Sequence, residues 1–212
     1  MPTRQTQTLI VMIAVLVFVA LNGNSAVRET EGFTFVHFTD AHIPTYGFAI
    51  GLSLEEKDLL TMHNQQRIRR LVGECLAMKP KPAFVVNTGD TTDVGWMPLF
   101  RLYSRLMQPL VSAGIPIYTV TGNHDTDYTG LGPGDLGRIF DPLGPAMIDR
   151  HGERYSFDLH DCHFAVINNN PICGLVRVNP ATLEWLRNDL EKVDKDKRVF
   201  VFLHATMSGS DM

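Results

Sequence analysis

Four short apolar runs, rich in β-branched and aromatic residues, punctuate this chain, and each is followed at once by residues able to ligate a divalent cation. The runs are Phe33–Phe38, Phe84–Val86, Ile117–Val120 and Val199–Leu203. The residues after them are Asp40-Ala41-His42, Gly89-Asp90, Gly122-Asn123-His124-Asp125 and His204. Runs of this length and composition read as buried strands. Segments with helical spacing separate the first three. Strand–helix–strand–helix–strand predicts parallel strands with right-handed crossovers, hence an α/β fold. Parallel strands end on one edge of their sheet, so their polar termini converge on one crevice.

The first helix is expected from about Glu55 to Met78. Ile68, Leu71, Val72, Cys75 and Leu76 share a face there, and Arg67, Arg69 and Arg70 interleave. Pro80 and Pro82 close it. A second strand is expected over Ala83–Asn87. A second helix follows from Pro98 to Ala113, with Gly114 as its stop and Pro109 bending or shortening its last turn. The third strand spans Ile115–Val120. Thr126–Gly152 is rich in Gly and Pro and aperiodic, a long loop of the kind that carries function. Tyr155–Leu159 and His163–Ile167 alternate as two strands about a turn, which leaves His160 and His163 expected at the surface. Ala181–Val193 is expected as a helix with Leu183, Leu186, Leu190 and Val193 on one face.

Asp40 and His42 are two residues apart, so in an extended segment both reach one ion. Asp90, turned by Gly89, is placed to bridge two ions, which lie about 3.5–4 Å apart in two-metal sites. Asn123 adds an amide oxygen and His204 an imidazole. This mixture suits hard-to-borderline divalent cations. Singly, each residue has a plainer use: Asp90 in a turn, Asn123 at a left-handed position, His204 in a core. Their joint placement at four strand ends points to a metal centre. His124 is suited to protonating a leaving alkoxide, with Asp93 as the acid partner fixing its tautomer. Asp125 is expected to accept backbone hydrogen bonds behind the loop.

The ordered set Asp40-x-His42, Gly89-Asp90-x-x-Asp93, Gly122-Asn123-His124-Asp125 and His204 resembles the calcineurin-like metallophosphoesterase superfamily over about Phe33 to His204. In form it is similar to small members related to cyclic-nucleotide phosphodiesterases. The resemblance implies a four-layer α/β/β/α sandwich and two divalent metal ions, of Mn, Fe, Zn or similar identity. By resemblance, Asp40, His42 and Asp90 hold the first ion and Asp90, Asn123 and His204 the second. His124 contacts substrate and protonates the leaving group, and Asp93 orients it. The implied reaction is hydrolysis of a small-molecule phosphate ester by a metal-bound hydroxide, a phosphodiester being favoured. A phosphomonoesterase and a non-catalytic phosphate-ester-binding protein are the alternatives. Asn168-Asn169-Asn170 departs from the usual Asp-Ser or Asp-Thr, which affects expected substrate contacts. The superfamily closes with Gly-His-x-His, which this sequence lacks, so the sandwich is expected to be incomplete at its C-terminus.

Residues 1–26 combine Arg4, the apolar run Leu9–Leu21 and Gly23-Asn24-Ser25-Ala26. That pattern is a signal peptide, with an N-terminal anchor as the alternative. It leaves residues 27–212 as the partial phosphoesterase domain and predicts an exported protein, periplasmic or secreted. Membrane contact is expected only if this segment stays uncleaved. The net charge is −4 and no basic run occurs, so nothing indicates a nucleic acid polymer as partner. The three cysteines form no C-x-x-C motif. A Cys162–Cys173 bridge and free buried thiols both stand open.

Overall fold

The computed structural model describes residues 11–15, 32–44, 53–126, 154–169, 178 and 180–205. Most of the N-terminal apolar segment, the long loop after Thr126, Asn170 and Cys173 lie outside that set. The first sheet contains β1 (Val11–Val15), β2 (Thr34–Phe38), β3 (Phe84–Asn87) and β4 (Ile117–Thr119), in that order. β2, β3 and β4 are parallel, as the alternation predicts. β1 falls within the segment expected as an export signal and pairs antiparallel with β2 at the edge.

The crossovers are α1 (Leu54–Ala77) and α2 (Met97–Ser112), and a short turn, α3 (Asn123–Thr126), follows β4. Ser53 starts α1 through a capping box: its hydroxyl accepts from the Glu56 amide at 3.2 Å while its own amide donates to the Glu56 carboxylate at 2.9 Å. Pro109 does not shorten α2, which continues to Ser112. Its missing N–H falls near the helix end, on the exposed side, where the lost bond costs least.

The second sheet holds β5 (Arg154–Leu159), β6 (Cys162–Ile167) and β7 (Arg198–Phe202). β5 and β6 form the expected antiparallel pair, and β7 returns parallel to β6 after α4 (Pro180–Leu190). Aromatic rings lock the two sheets together. Phe35, Phe84 and Tyr118 meet Phe157, Phe164, Phe200 and Phe202 at centroid separations from 3.8 to 5.9 Å. The other face of the first sheet buries Val36, Phe38, Val85 and Ile117 in one core with Ile68 and Leu71 of α1 and Phe100, Met107 and Leu110 of α2. α4 covers the outer face of the second sheet, giving the expected four layers.

That outer contact is polar, which corrects the apolar face expected for this helix. Leu183 is 45% exposed, while buried Thr182 accepts from Arg154 and Asp189 accepts from the Ser156 hydroxyl. Asp158 and Asp189 flank the His163 ring at 2.7 and 2.9 Å, so His163 is buried and not at the surface. Period-3.6 patterning finds a helix, but its buried face follows whatever the opposing strands present. Cys162 is a buried free thiol, and Cys173, the partner in the alternative of a bridge, lies outside the described residues.

Phe164 is fully buried and its ring contacts those of Phe35, Phe84, Phe157, Phe200 and Phe202. Phe164→Ala should cost about 3–5 kcal/mol of stability through lost contacts and the cavity left behind. Urea denaturation measures this; a loss below about 1 kcal/mol would show that the sheets are not held at this ring.

Candidate metal centre

All seven predicted site residues meet at one edge of the first sheet. The loops beyond β2 and β3 zip together past the strands. Asp40 N–H donates to Gly89 O at 3.0 Å, His42 N–H to Asp90 O at 2.9 Å and Ile43 N–H to Thr91 O at 3.0 Å. These loops are not extended, which corrects the argument that brought Asp40 and His42 together. Asp40, His42 and Asp90 have φ of 58°, 43° and 48°, in the left-handed region that disfavours side chains. Such strain persists only where surrounding bonds impose it, and it clusters at functional sites. Here the Asn64 side-chain amide, from α1, donates to the His42 carbonyl and adds to that restraint.

Two glycines make room for the central carboxylate. A Cβ on Gly122 would lie 2.0 Å from Asp90 Oδ1, and one on Gly89, itself at φ +107°, would lie 2.4 Å from Gly122 N. Asp125 fixes the same junction from behind, as expected. Its fully buried carboxylate accepts from the amides of Thr91, Thr92 and Gly122 at 3.1, 3.0 and 2.9 Å and from the Thr92 hydroxyl at 3.3 Å. Burial pushes the Asp125 carboxyl up to about 6 despite these donors.

The Asp90 carboxylate divides the site in two. Its Oδ2 lies 3.5 Å from His42 Nε2, which is 3.4 Å from Asp40 Oδ1. Its Oδ1 lies 3.4 Å from His204 Nε2, which is 3.2 Å from Asn123 Oδ1. Atoms each about 2.1 Å from one ion at a tetrahedral angle lie roughly 3.4 Å apart, so these spacings fit shared coordination. Asp40, Asp90 and His204 alone bring three ligand atoms within 4.8 Å of one another.

Both imidazoles are turned the way metal ligands are turned. The Thr88 carbonyl receives His204 Nδ1 at 2.8 Å, and the Asp93 carboxylate receives His42 Nδ1 at 2.8 Å. A neutral ring carries one N–H, so each Nε2 then aims a lone pair at carboxylate oxygen. A cation or a second proton must sit between them. Without a metal the surrounding carboxylates favour a second proton on each ring. Burial opposes a charged His42, but Asp40, Asp93 and Asp90 prevail and raise its pKa to about 10. His204 is also raised; burial works against the charge, and Asp90, Asp40 and the Thr88 carbonyl favour it. The donor set therefore fits divalent cations, with Asp40, His42 and Asp90 on one side and Asp90, Asn123 and His204 on the other.

One expected pairing differs. The Asp93 carboxylate contacts His42 and not His124, whose Nδ1 faces the Asp93 backbone carbonyl at 3.1 Å. The His124 amide donates to Asp90 Oδ1 at 2.9 Å, and the two rings lie 5.0 Å apart. A carbonyl only accepts, so His124 Nδ1 carries hydrogen and Nε2 is the nitrogen that exchanges a proton.

The sequence reading also missed three asparagine anchors. Buried Asn87 donates to the Thr91 hydroxyl and Tyr103 and accepts from the Gly89 amide, shaping the Asp90 loop. Buried Asn169 accepts from the His204 and Ala205 amides at 3.1 and 3.0 Å and donates to Ala205 O, clamping the His204 turn. Asn64 is the third. A polar residue within an apolar period was the available signal for Asn64; the other two resemble ordinary turn asparagines.

Residues 33–212 match the calcineurin-like phosphoesterase family, and the chain belongs to that family. It is 28% identical over 149 residues to a probable glycerophosphodiester phosphodiesterase GpdQ of Arcobacter nitrofigilis, a match spanning 67% of this chain and 50% of that protein. The chain thus spans about half the length of that curated relative. Its fold is similar to purple acid phosphatase PPD1 from yellow lupin seeds, with a TM-score of 0.53 and 15% identity over 82% of this chain and 33% of that one. Family and fold imply divalent metal ions, and among the described residues Asp40, Asp90 and His204 form a candidate site for one.

Because His42 holds its proton up to about pH 10, metal uptake below that value must displace it. Apparent affinity should therefore rise with pH by about tenfold per unit for each proton displaced. In the metal-free chain the same charge stabilises the fold, fully below the ordinary imidazole value and progressively less as pH rises toward about 10. Calorimetric titration of Mn²⁺ in buffers of different ionisation enthalpy counts the released protons. Uptake without proton release would contradict this electrostatic picture.

Proposed function

We propose that the chain carries the reaction centre of a phosphodiesterase that hydrolyses small phosphate diesters with two divalent ions. The observation supporting it is the division of Asp90 between two donor sets, Oδ2 facing Asp40 and His42 and Oδ1 facing Asn123 and His204. The similarity to a probable glycerophosphodiester phosphodiesterase of Arcobacter nitrofigilis supports a diester over a monoester. When bound, the ions would polarise the phosphoryl oxygens and supply a nucleophile at neutral pH.

The protein groups then have separable tasks. Asp90 keeps the two donor sets in register, because one carboxylate belongs to both. Asp93 and the Thr88 carbonyl fix the His42 and His204 rings through Nδ1, leaving each Nε2 directed inward. The Asp93 carbonyl fixes His124 in turn. As the P–O bond breaks, its electron pair stays on the leaving oxygen, and His124 Nε2 delivers the proton that neutralises it.

His124→Ala should reduce turnover by roughly 10²–10⁴ with metal content nearly unchanged, the usual contribution of a general acid. Asp90→Ala should instead lose metal. Elemental analysis and hydrolysis of bis(p-nitrophenyl) phosphate check both, with p-nitrophenyl phosphate as the monoester control. Loss of metal on His124→Ala would contradict its role as acid. Faster turnover of the monoester would favour a phosphomonoesterase. No turnover of either by the metal-loaded protein would favour a non-catalytic ester-binding protein.

A further inference from the structure

The chain's charge is unevenly spread. Its net charge is −4, and exposed Glu55, Glu56 and Asp58 open α1, yet the second half of that helix, the turn after it and α2 are basic. The second half of α1 presents Arg67, Arg69 and Arg70, all exposed. The turn after it adds Lys79 and Lys81, and α2 adds Arg101 and Arg105, exposed as well. Across Arg67–Lys81 and the whole of α2 the one acidic residue is Glu74, paired with Arg70 at 2.7 Å.

An apolar groove of about 590 Å³ runs through this face between the two helices. Val72 and Leu76 of α1 and Leu102 and Leu106 of α2 form its floor, and Arg69 and Arg105 belong to its lining. On each helix these positions repeat at three- and four-residue spacing, so two stripes face one another. Gly73 keeps the groove open: a Cβ there would meet nothing within 4 Å. On α1 the groove lining runs from Arg69 to Leu76, roughly 8 to 18 Å along the helix beyond Asn64, the residue that touches the metal centre. The groove is thus separate from the reaction site.

Guanidinium groups beside an apolar floor match an amphiphile with a phosphate head. Arginine binds phosphate oxygens through a planar fork, and the floor takes the adjoining apolar segment. A single-stranded nucleic acid would use stacking aromatics, which the groove lining lacks, and a duplex would meet the arginines with phosphate but leave the apolar floor unmatched. A basic helical face with an apolar seam is also the pattern of surface-bound membrane proteins. We propose that the α1–α2 face docks on an anionic phospholipid surface, with Arg69 and Arg105 on headgroup phosphates and the groove against the apolar boundary. This contact does not depend on the N-terminal segment.

The test is co-sedimentation of the full chain with phosphatidylcholine vesicles, with and without phosphatidylglycerol. Any contribution of the N-terminal apolar run persists in uncharged vesicles and is subtracted. Each arginine near an anionic surface contributes about fivefold, so the double variant Arg69→Gln/Arg105→Gln should bind phosphatidylglycerol vesicles about thirtyfold more weakly. Added salt should weaken the parent chain similarly. Both positions are exposed, so unchanged circular dichroism and Mn²⁺ uptake would show that the variant is folded. Equal binding to charged and uncharged vesicles, or an unaltered double variant, would overturn the proposal. So would salt-sensitive binding to RNA or to an acidic peptide in the absence of phosphatidylglycerol-dependent sedimentation.

Discussion

A single carboxylate holds this site in register. Asp90 presents Oδ2 to His42 and Oδ1 to His204. It can do so because it leaves β3 in a left-handed conformation against a glycine that has no Cβ to strike it. Lengthening or rotating the junction would separate the two donor sets. The neighbours of Asp90 are fixed by interactions that leave the donor side chains unused: Asp125 on three amides, Asn87 on Gly89, and the backbone bonds that zip the loops after β2 and β3.

The arrangement is costly in the absence of metal. Three non-glycine residues sit at positive φ, each costing about 1–3 kcal/mol. Two imidazoles have oxygen partners at both ring nitrogens, so neither is satisfied as a neutral ring. Retained protons relieve this in part. A divalent cation relieves it more completely, since it supplies charge where the lone pairs meet. The rigid aromatic interface between the sheets is what lets the fold tolerate such a locally unfavourable edge: Phe164 sits between rings from both sheets, and the loops inherit fixed starting points.

Much of this was legible in the sequence, for physical reasons. Strands β2, β3 and β4 are continuous apolar runs because both their faces are buried, and that pattern survives any loop geometry. The clustered donor residues were legible because their chemistry is unusual at four strand ends together. Second-sphere geometry was not. Asp93 lies three residues after Asp90 and could have served His124 or His42; only the left-handed turn of His42, which brings its Nδ1 to 2.8 Å, decides between them. The convergence of Asp40 and His42 was expected for the wrong reason, strand alternation, since local sequence does not announce positive φ at Asp or His. Asn169 departs from the usual residue at its position, and sequence alone does not reveal that its side chain clamps the His204 turn. The polar contact of α4 was hidden because leucine spacing marks a helix without saying what it packs against.

The central claim, that Asp90 joins two metal positions through one carboxylate, is testable without measuring turnover. Electron paramagnetic resonance of the Mn²⁺-loaded protein distinguishes ions that share a bridging ligand from ions bound separately. The account predicts an exchange-coupled spectrum from paired ions, replaced by the signal of isolated Mn²⁺ when Asp90 is changed to Asn. A parent protein that shows only isolated Mn²⁺ at saturating metal, or an Asp90→Asn protein that keeps the coupled spectrum, would contradict it.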